Sequence, residues 1–222
     1  MPRIARVIAP GMPHHITHRG NYRQNVFEEE IDFVKYLQLI NNYAKQYSLL
    51  ILNYCLMPNH IHFIVVPKDE ESLSKIFNVV QMIYAQYFNS KRKVTGHLWQ
   101  GRFYSCVLSE KHLYATIRYV ERNPVRAKLA KKPWDWKWSS AQEHVYRKQG
   151  PIKLAGISEF IEIKSWREFL EEEVDDSFLR EIREKTKTGR PLGNITFVDK
   201  LEGILKRELH ILPKGRPKKN KK

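Results

Sequence analysis

Two short stretches of the 222-residue chain hold side chains suited to chemistry: MPNHIHFIV at 57–65 and IRYVERNPV at 117–125. One residue separates His60 from His62. On an extended strand, residues i and i+2 share a face, so both imidazoles can address one cation while Ile61 and Phe63 turn to the opposite side. Tyr119 and Asn123 lie four apart, which puts a phenol and an amide oxygen on one face of a helix. Taken singly, each pair also fits a bland reading: polar alternation on a half-buried strand, or a core tyrosine on an amphipathic helix. Together, two neutral imidazoles and an amide oxygen leave open positions on a hard or borderline divalent cation such as Mg²⁺ or Mn²⁺. That cation could polarise a phosphodiester for attack by the Tyr119 oxygen. A free phenol titrates near pH ~10, so it needs activation by the cation or a base.

These residues need elements to position them. Residues 13–20 read as a strand ending at Gly20, followed by a loop over 21–27. Apolar residues at helical spacing predict a helix over 28–47, with Glu28–Glu30 at its positive N-terminal end. Leu49–Met57 is a buried-type strand, Pro58-Asn59 a turn, and His60–Val66 the return strand. A second helix covers 71–92, with Ser72 or Asp69 as its cap. Phe103–Leu108 is a strand, and the helix Glu110–Arg122 stops before Pro124. The order β-α-β-β-α-β predicts an α+β fold of the ferredoxin-like, split βαβ type: an antiparallel sheet with two helices on one face. The helix after the fourth strand can then pack beside the histidine strand. Trp134, Trp136 and Trp138 alternate and are expected to pack an extended segment onto the domain. Residues 158–185 and Phe197–Leu209 read as helices of a C-terminal extension. The division expected is 1–146 catalytic domain, 147–212 helical extension and 213–222 basic tail.

Charge narrows the partner. The net charge is +15. Residues 84–132 account for +9 and residues 206–222 for +7, leaving the rest of the chain near neutrality. Two concentrated basic blocks point to a polyanion. The PKGRPKKNKK tail lacks the interleaved large apolar residues of a membrane anchor, so nucleic acid is favoured over membrane. No apolar run reaches the ~18 residues of a membrane span, and the N-terminal residues show no apolar signal core. Cys55 and Cys106 are too few for a disulfide framework or a zinc site and read as reduced structural thiols of a cytoplasmic protein.

Several further residues fit DNA contact. Arg19 and Asn21 close the first strand. Trp99 and Arg102 combine a stacking ring with a phosphate-binding group, although Trp99 and Phe103 fit the core equally well. Arg118, Arg122 and Arg126 recur every four residues near Tyr119. Arg216 sits in a Gly-Arg-Pro context within the tail. His14, His15 and His18 on the first strand are expected to pack or to lie on the surface rather than to ligate metal.

MPNHIHFIV resembles the His–apolar–His (HUH) motif of single-strand endonucleases, and RYVERNPVRAKLA resembles the tyrosine helix of single-tyrosine transposases. HHITHRGNYRQNVF, GHLWQGRF, PWDWKWSSAQEH and TGRPLGN…GRPKK look like blocks of the REP-associated tyrosine transposases. Residues 150–187 match no motif. The resemblance implies metal ligation by His60, His62 and Asn123, with Asn123 shorter than the Gln common in related short transposases. It implies Tyr119 as nucleophile and cleavage of single-stranded DNA beside a hairpin through a 5′-phosphotyrosine link. It also implies Mg²⁺ or Mn²⁺ as cofactor, no nucleotide cofactor, and a monomer in preference to a dimer. A catalytically idle DNA-binding protein and a relaxase or rolling-circle initiator remain the alternatives.

Overall fold

The computed structural model describes residues 5–210. Four strands form one antiparallel sheet: β1 (His14–Arg19), β2 (Leu49–Met57), β3 (His60–Pro67) and β4 (Tyr104–Val107), in the order β2-β3-β1-β4. This is the order of the split βαβ arrangement expected from the sequence. Helices α1 (Glu30–Gln46) and α2 (Ser72–Arg92) cover one face. On that face Ile61, Phe63 and Val65 of β3 meet Tyr36, Leu37 and Ile40 of α1 and Leu73, Phe77 and Val80 of α2, all of them buried. Each such side chain contributes about 1.5–3 kcal/mol. Asp32 joins the two helices: it accepts the Glu28 and Glu29 backbone N–H groups at the start of α1, and its carboxylate receives Lys91 from α2 at 2.9 Å.

A bulge changes the parity of β2. Ile51 pairs with Val65 but Asn53 pairs with Ile64, so Leu52 is the extra residue. Leu49, Ile51, Tyr54 and Leu56 can therefore all face α1 and α2, while Leu52, Cys55 and Met57 face the other side. Both cysteines are buried and free.

Two short helices, α4 (Asn123–Arg126) and α5 (Ala141–Tyr146), follow α3 (Glu110–Glu121), and the second face shares its core with α3, α6 (Trp166–Glu171) and α7 (Asp176–Thr188). Leu113, Ile117 and Val120 of α3 share a core with Phe169, Leu170, Leu179 and Ile182 of the extension. The continuous helix expected over 158–185 is broken. The run Glu171–Glu173 puts carboxylates at a negative helix C-terminus, and Asp175 caps a new helix by accepting the Ser177 and Phe178 N–H groups. Gly189, at φ 76°, ends α7 in the left-handed region that glycine reaches without strain. The last helix, α8, spans Ile195–Leu205, starting two residues before the expected Phe197 and ending four before Leu209.

The three tryptophans pack as expected, but on both faces. Trp138 stacks on Phe33 beneath α1, and Trp134 joins the α3 core. Among the described residues no helix is long and apolar enough to cross a membrane.

Candidate active site

Helix α3 lies against β2 and β3, so Tyr119 meets the histidine strand. The Tyr119 ring stands edge-on to His62 at 5.6 Å between centroids and to His15 at 5.9 Å. These residues line a cleft of about 620 Å³ together with His60, Asn123, Arg19, Arg23, Arg126, Tyr104, Arg183, Thr186 and Lys187.

Local hydrogen bonds decide where each imidazole lone pair points. Asn59 donates its Nδ2 to the Arg23 carbonyl, which leaves its Oδ1 to face His60 Nδ1 at 2.6 Å. His60 therefore carries its proton on Nδ1 and keeps Nε2 as a lone pair. The turn that presents it is fixed from outside, because Pro58 O accepts from Val26 and Phe27, and Asn59 O accepts from Gly20. Gly20 is needed there: a Cβ would lie 2.4 Å from the Gln24 carbonyl oxygen. His62 Nδ1 lies 2.9 Å from His15 Nε2, whereas His62 Nε2 is buried with no hydrogen-bond partner among the described residues.

Burial pushes the His60 pKa down to about 3, helped by Arg19 and Arg126, and holds His62 well below the ordinary value. Both rings are neutral at pH 7, the form that ligates metal. Burial also lowers His14 to about 4 and His15 to about 3. In the unfolded chain His14, His15 and His60 take up protons below pH 6.5; in the fold these three do so only near pH 3–4. The stability they contribute is thus present above pH 6.5 and lost as pH falls. Urea unfolding should show a loss of about 1.4 kcal/mol per histidine per pH unit below 6.5. A flat profile between pH 7 and 5 would contradict their burial as neutral rings.

Pro124 sets the third donor. It has no N–H to give to the Val120 carbonyl, and Asn123 Nδ2 takes that place at 3.2 Å. Asn123 Oδ1 then accepts from Arg126 at 2.6 Å, and the Arg126 guanidinium lies over the Tyr119 ring, 4.3 Å from its centroid. Asn123 begins the short helix α4 (Asn123–Arg126) and lines the same cleft as the histidines. The His60 Nε2 lone pair and the partnerless His62 Nε2 fit a divalent cation, while the amide oxygen is engaged by Arg126.

The other sequence candidates separate by location. Arg19 and Arg126 line the cleft. Asn21, Trp99 and Arg102 instead border a second groove of about 550 Å³ beside α2. Trp99 is buried, stacks on His18 and donates Nε1 to the Gln81 carbonyl, so its ring belongs to the core and not to a base-stacking platform. Arg118 and Arg122 face away from the cleft. Arg118 Nε donates to Phe169 O at 2.7 Å and pairs with Glu172, and Arg122 donates to the carbonyls of Leu170 and Glu171. They satisfy the open C-terminal carbonyls of α6. Arg122→Met should therefore cost about 2 kcal/mol of stability with DNA affinity little changed. Urea unfolding alongside a salt titration of DNA binding checks this; unaltered stability with a shallower salt slope would return Arg122 to the DNA. Arg216 and the 213–222 tail lie outside the described residues.

His14 packs as expected, donating Nδ1–H to Met12 O and accepting Ala9 N–H. His15, which the sequence gives no reason to link to the motif, contacts His62 directly. Arg23, Arg183, Thr186 and Lys187 line the cleft without a sequence signal that marks them. Their i, i+3, i+4 spacing puts Arg183, Thr186 and Lys187 on one face of a helix, but spacing does not say which wall that face meets.

The fold and site together define a ferredoxin-like α+β protein whose sheet presents an imidazole pair to a helix-borne tyrosine in a cationic cleft. The chain belongs to the IS200-like transposase family, whose description matches residues 10–123. That is a family of DNA-cutting and DNA-transferring enzymes. A solved structure of a REP-associated tyrosine transposase bound to a REP hairpin is similar in fold, with a TM-score of 0.55 and 20% identity over 74% of this chain and 96% of that one. A Deinococcus radiodurans R1 protein described as a transposase candidate matches with a TM-score of 0.38 and 18% identity, over 55% of this chain and 97% of its own. No curated protein matches the sequence.

Proposed function

We propose that the protein is a single-strand DNA endonuclease and strand transferase that acts beside hairpin DNA of the REP type, with Tyr119 as nucleophile. The observation that carries this reading is the Tyr119 ring set against two neutral imidazoles inside a cleft walled by Arg19, Arg23, Arg126, Arg183 and Lys187. The cationic walls hold the phosphates of a flexible strand. The Tyr119 oxygen attacks the scissile phosphorus and loses its proton; the bond from phosphorus to the 3′ oxygen breaks, and that oxygen leaves protonated as a free 3′-OH. A 5′-phosphotyrosine link conserves the bond energy, so a 3′-OH can reverse the step without a nucleotide cofactor. His60 and His62 would hold Mg²⁺ or Mn²⁺ through their Nε2 atoms, with Asn123 joining once Arg126 releases its oxygen. When bound, that cation supplies Lewis-acid polarisation of the scissile phosphate. Arg126, above the Tyr119 ring, favours negative charge developing on the phenol.

The reading divides the chain into a catalytic domain over 1–146, an extension over 147–212 and a tail over 213–222. It is tested with hairpin oligonucleotides carrying a 5′ or a 3′ label. A covalent adduct on a denaturing gel that keeps the DNA on the 3′ side of the cut supports it. DNA binding without adduct across Mg²⁺ and Mn²⁺ titrations overturns it in favour of a catalytically idle DNA-binding protein on the same fold.

A further inference from the structure

The C-terminal extension reaches into the site at one buried point. Thr186, on α7, lies beyond the 10–123 span of the family match. Its Oγ1 is 2.9 Å from His15 Nδ1, and His15 Nε2 is 2.9 Å from His62 Nδ1. All three residues are at most 3% exposed, and the two rings are within 8° of parallel. We infer that Thr186 is a positioning residue for metal ligation, holding His62 through His15 in the tautomer whose Nε2 lone pair is open to the cation. The inference rests on the reading of His60 and His62 as metal ligands.

The argument is one of proton placement. A neutral imidazole carries one N–H. For His62 to ligate through Nε2, its proton must sit on Nδ1 and be donated to His15 Nε2. His15 must then carry its own proton on Nδ1, in a buried position, and that N–H needs an acceptor. Thr186 Oγ1 is the acceptor within reach. With the opposite polarity, the hydroxyl donates to His15, His15 donates to His62, and the His62 proton falls on Nε2, closing it to metal. A hydroxyl serves both polarities; a methyl serves neither. With the hydroxyl, the ligating state leaves no buried donor unpaired, whereas the closed state buries the His62 Nε2–H without a partner. Without the hydroxyl, the ligating state leaves the His15 Nδ1–H unpaired and loses that advantage, in the free and in the metal-bound protein alike. Loss of the hydroxyl thus biases His62 against the metal.

The extension is held firmly enough to perform this task. Leu179 and Ile182 anchor α7 in the α3 core. Beyond Gly189, Arg190 O accepts from Cys106 Sγ, and Leu192 bonds to both Val107 and Ser109 of the β4 segment.

The test is Mn²⁺ binding to the full-length protein without DNA, followed by electron paramagnetic resonance, in the wild type, Thr186→Val, Thr186→Ser and His62→Ala. Thr186→Val preserves shape and should weaken Mn²⁺ by about ten- to hundredfold, the usual effect of losing an outer partner of a ligating histidine. Thr186→Ser should recover wild-type affinity. Imidazole ¹⁵N shifts should move the His62 proton toward Nε2 in Thr186→Val, a change that a purely structural role would not produce. Unchanged Mn²⁺ affinity in Thr186→Val, with affinity lost in His62→Ala, overturns the inference alone. Unchanged affinity in both variants overturns the metal site and the inference with it.

Discussion

Tyr119→Phe should bind hairpin DNA as the wild type does and form no covalent protein–DNA adduct. The substitution deletes one oxygen and keeps the ring, which is almost fully buried between His62, His15 and the Arg126 guanidinium. Packing, fold and the cationic cleft walls survive, so affinity should change by less than about threefold, well under 1.4 kcal/mol. Loss of a covalent nucleophile lowers turnover by a factor on the order of a million, beyond detection here. Two other tyrosines test the assignment. Tyr114 donates its hydroxyl to Glu162 O and accepts Glu162 N–H, away from the cleft. Tyr104 does line the cleft and is the serious competitor. Peptide mass spectrometry of the adduct decides between them: phosphate on Tyr104, or adduct from Tyr119→Phe, would falsify the assignment.

The second large effect is expected at the imidazole pair. His60→Ala should remove Mn²⁺-stimulated cleavage while leaving the protein folded. His60 is half-buried and its Nδ1 is bonded only to the neighbouring Asn59, so little packing depends on it. His62→Ala should abolish cleavage as well, with a further loss of stability, because it empties a buried site and strips His15 of a partner. Cleavage across a Mn²⁺ titration, paired with thermal melts, separates the two effects. Ordinary Mn²⁺ stimulation in a folded His60→Ala protein would remove His60 from the metal site.

The four residues of greatest chemical interest were legible because short-range spacing fixes their facing. His60 and His62 share a strand face by the period of two, and Tyr119 and Asn123 share a side by the period of 3.6. The sheet order followed from element order, since few topologies satisfy it. What stayed hidden depends on contacts distant in the chain. The bulge at Leu52 has no marker in a run of apolar residues. Arg118 and Arg122 look like one stripe with Arg126, but the Pro124 kink and the docking of α6 split them. Nothing near His15 in the sequence tells it from His14 as the one facing His62, and Thr186 stands 171 positions away from it.

Both rims of the sheet are occupied by later parts of the same chain. Along β2, Leu56 N–H donates to Trp138 O, Ser140 N–H donates to Tyr54 O, and Ala155 N–H donates to Ile51 O. Along β4, the Leu192 segment plays the same part. An unpaired strand edge is a template for a second chain, and proteins that cannot cover theirs tend to aggregate. Residues 138–140, 155 and 192 all lie beyond residue 123, where the family match ends. A fragment trimmed to that match would bare both rims at once and invite edge-to-edge association. With these segments in place, the residues beyond 123 shield both sheet edges as well as supplying a wall of the cleft.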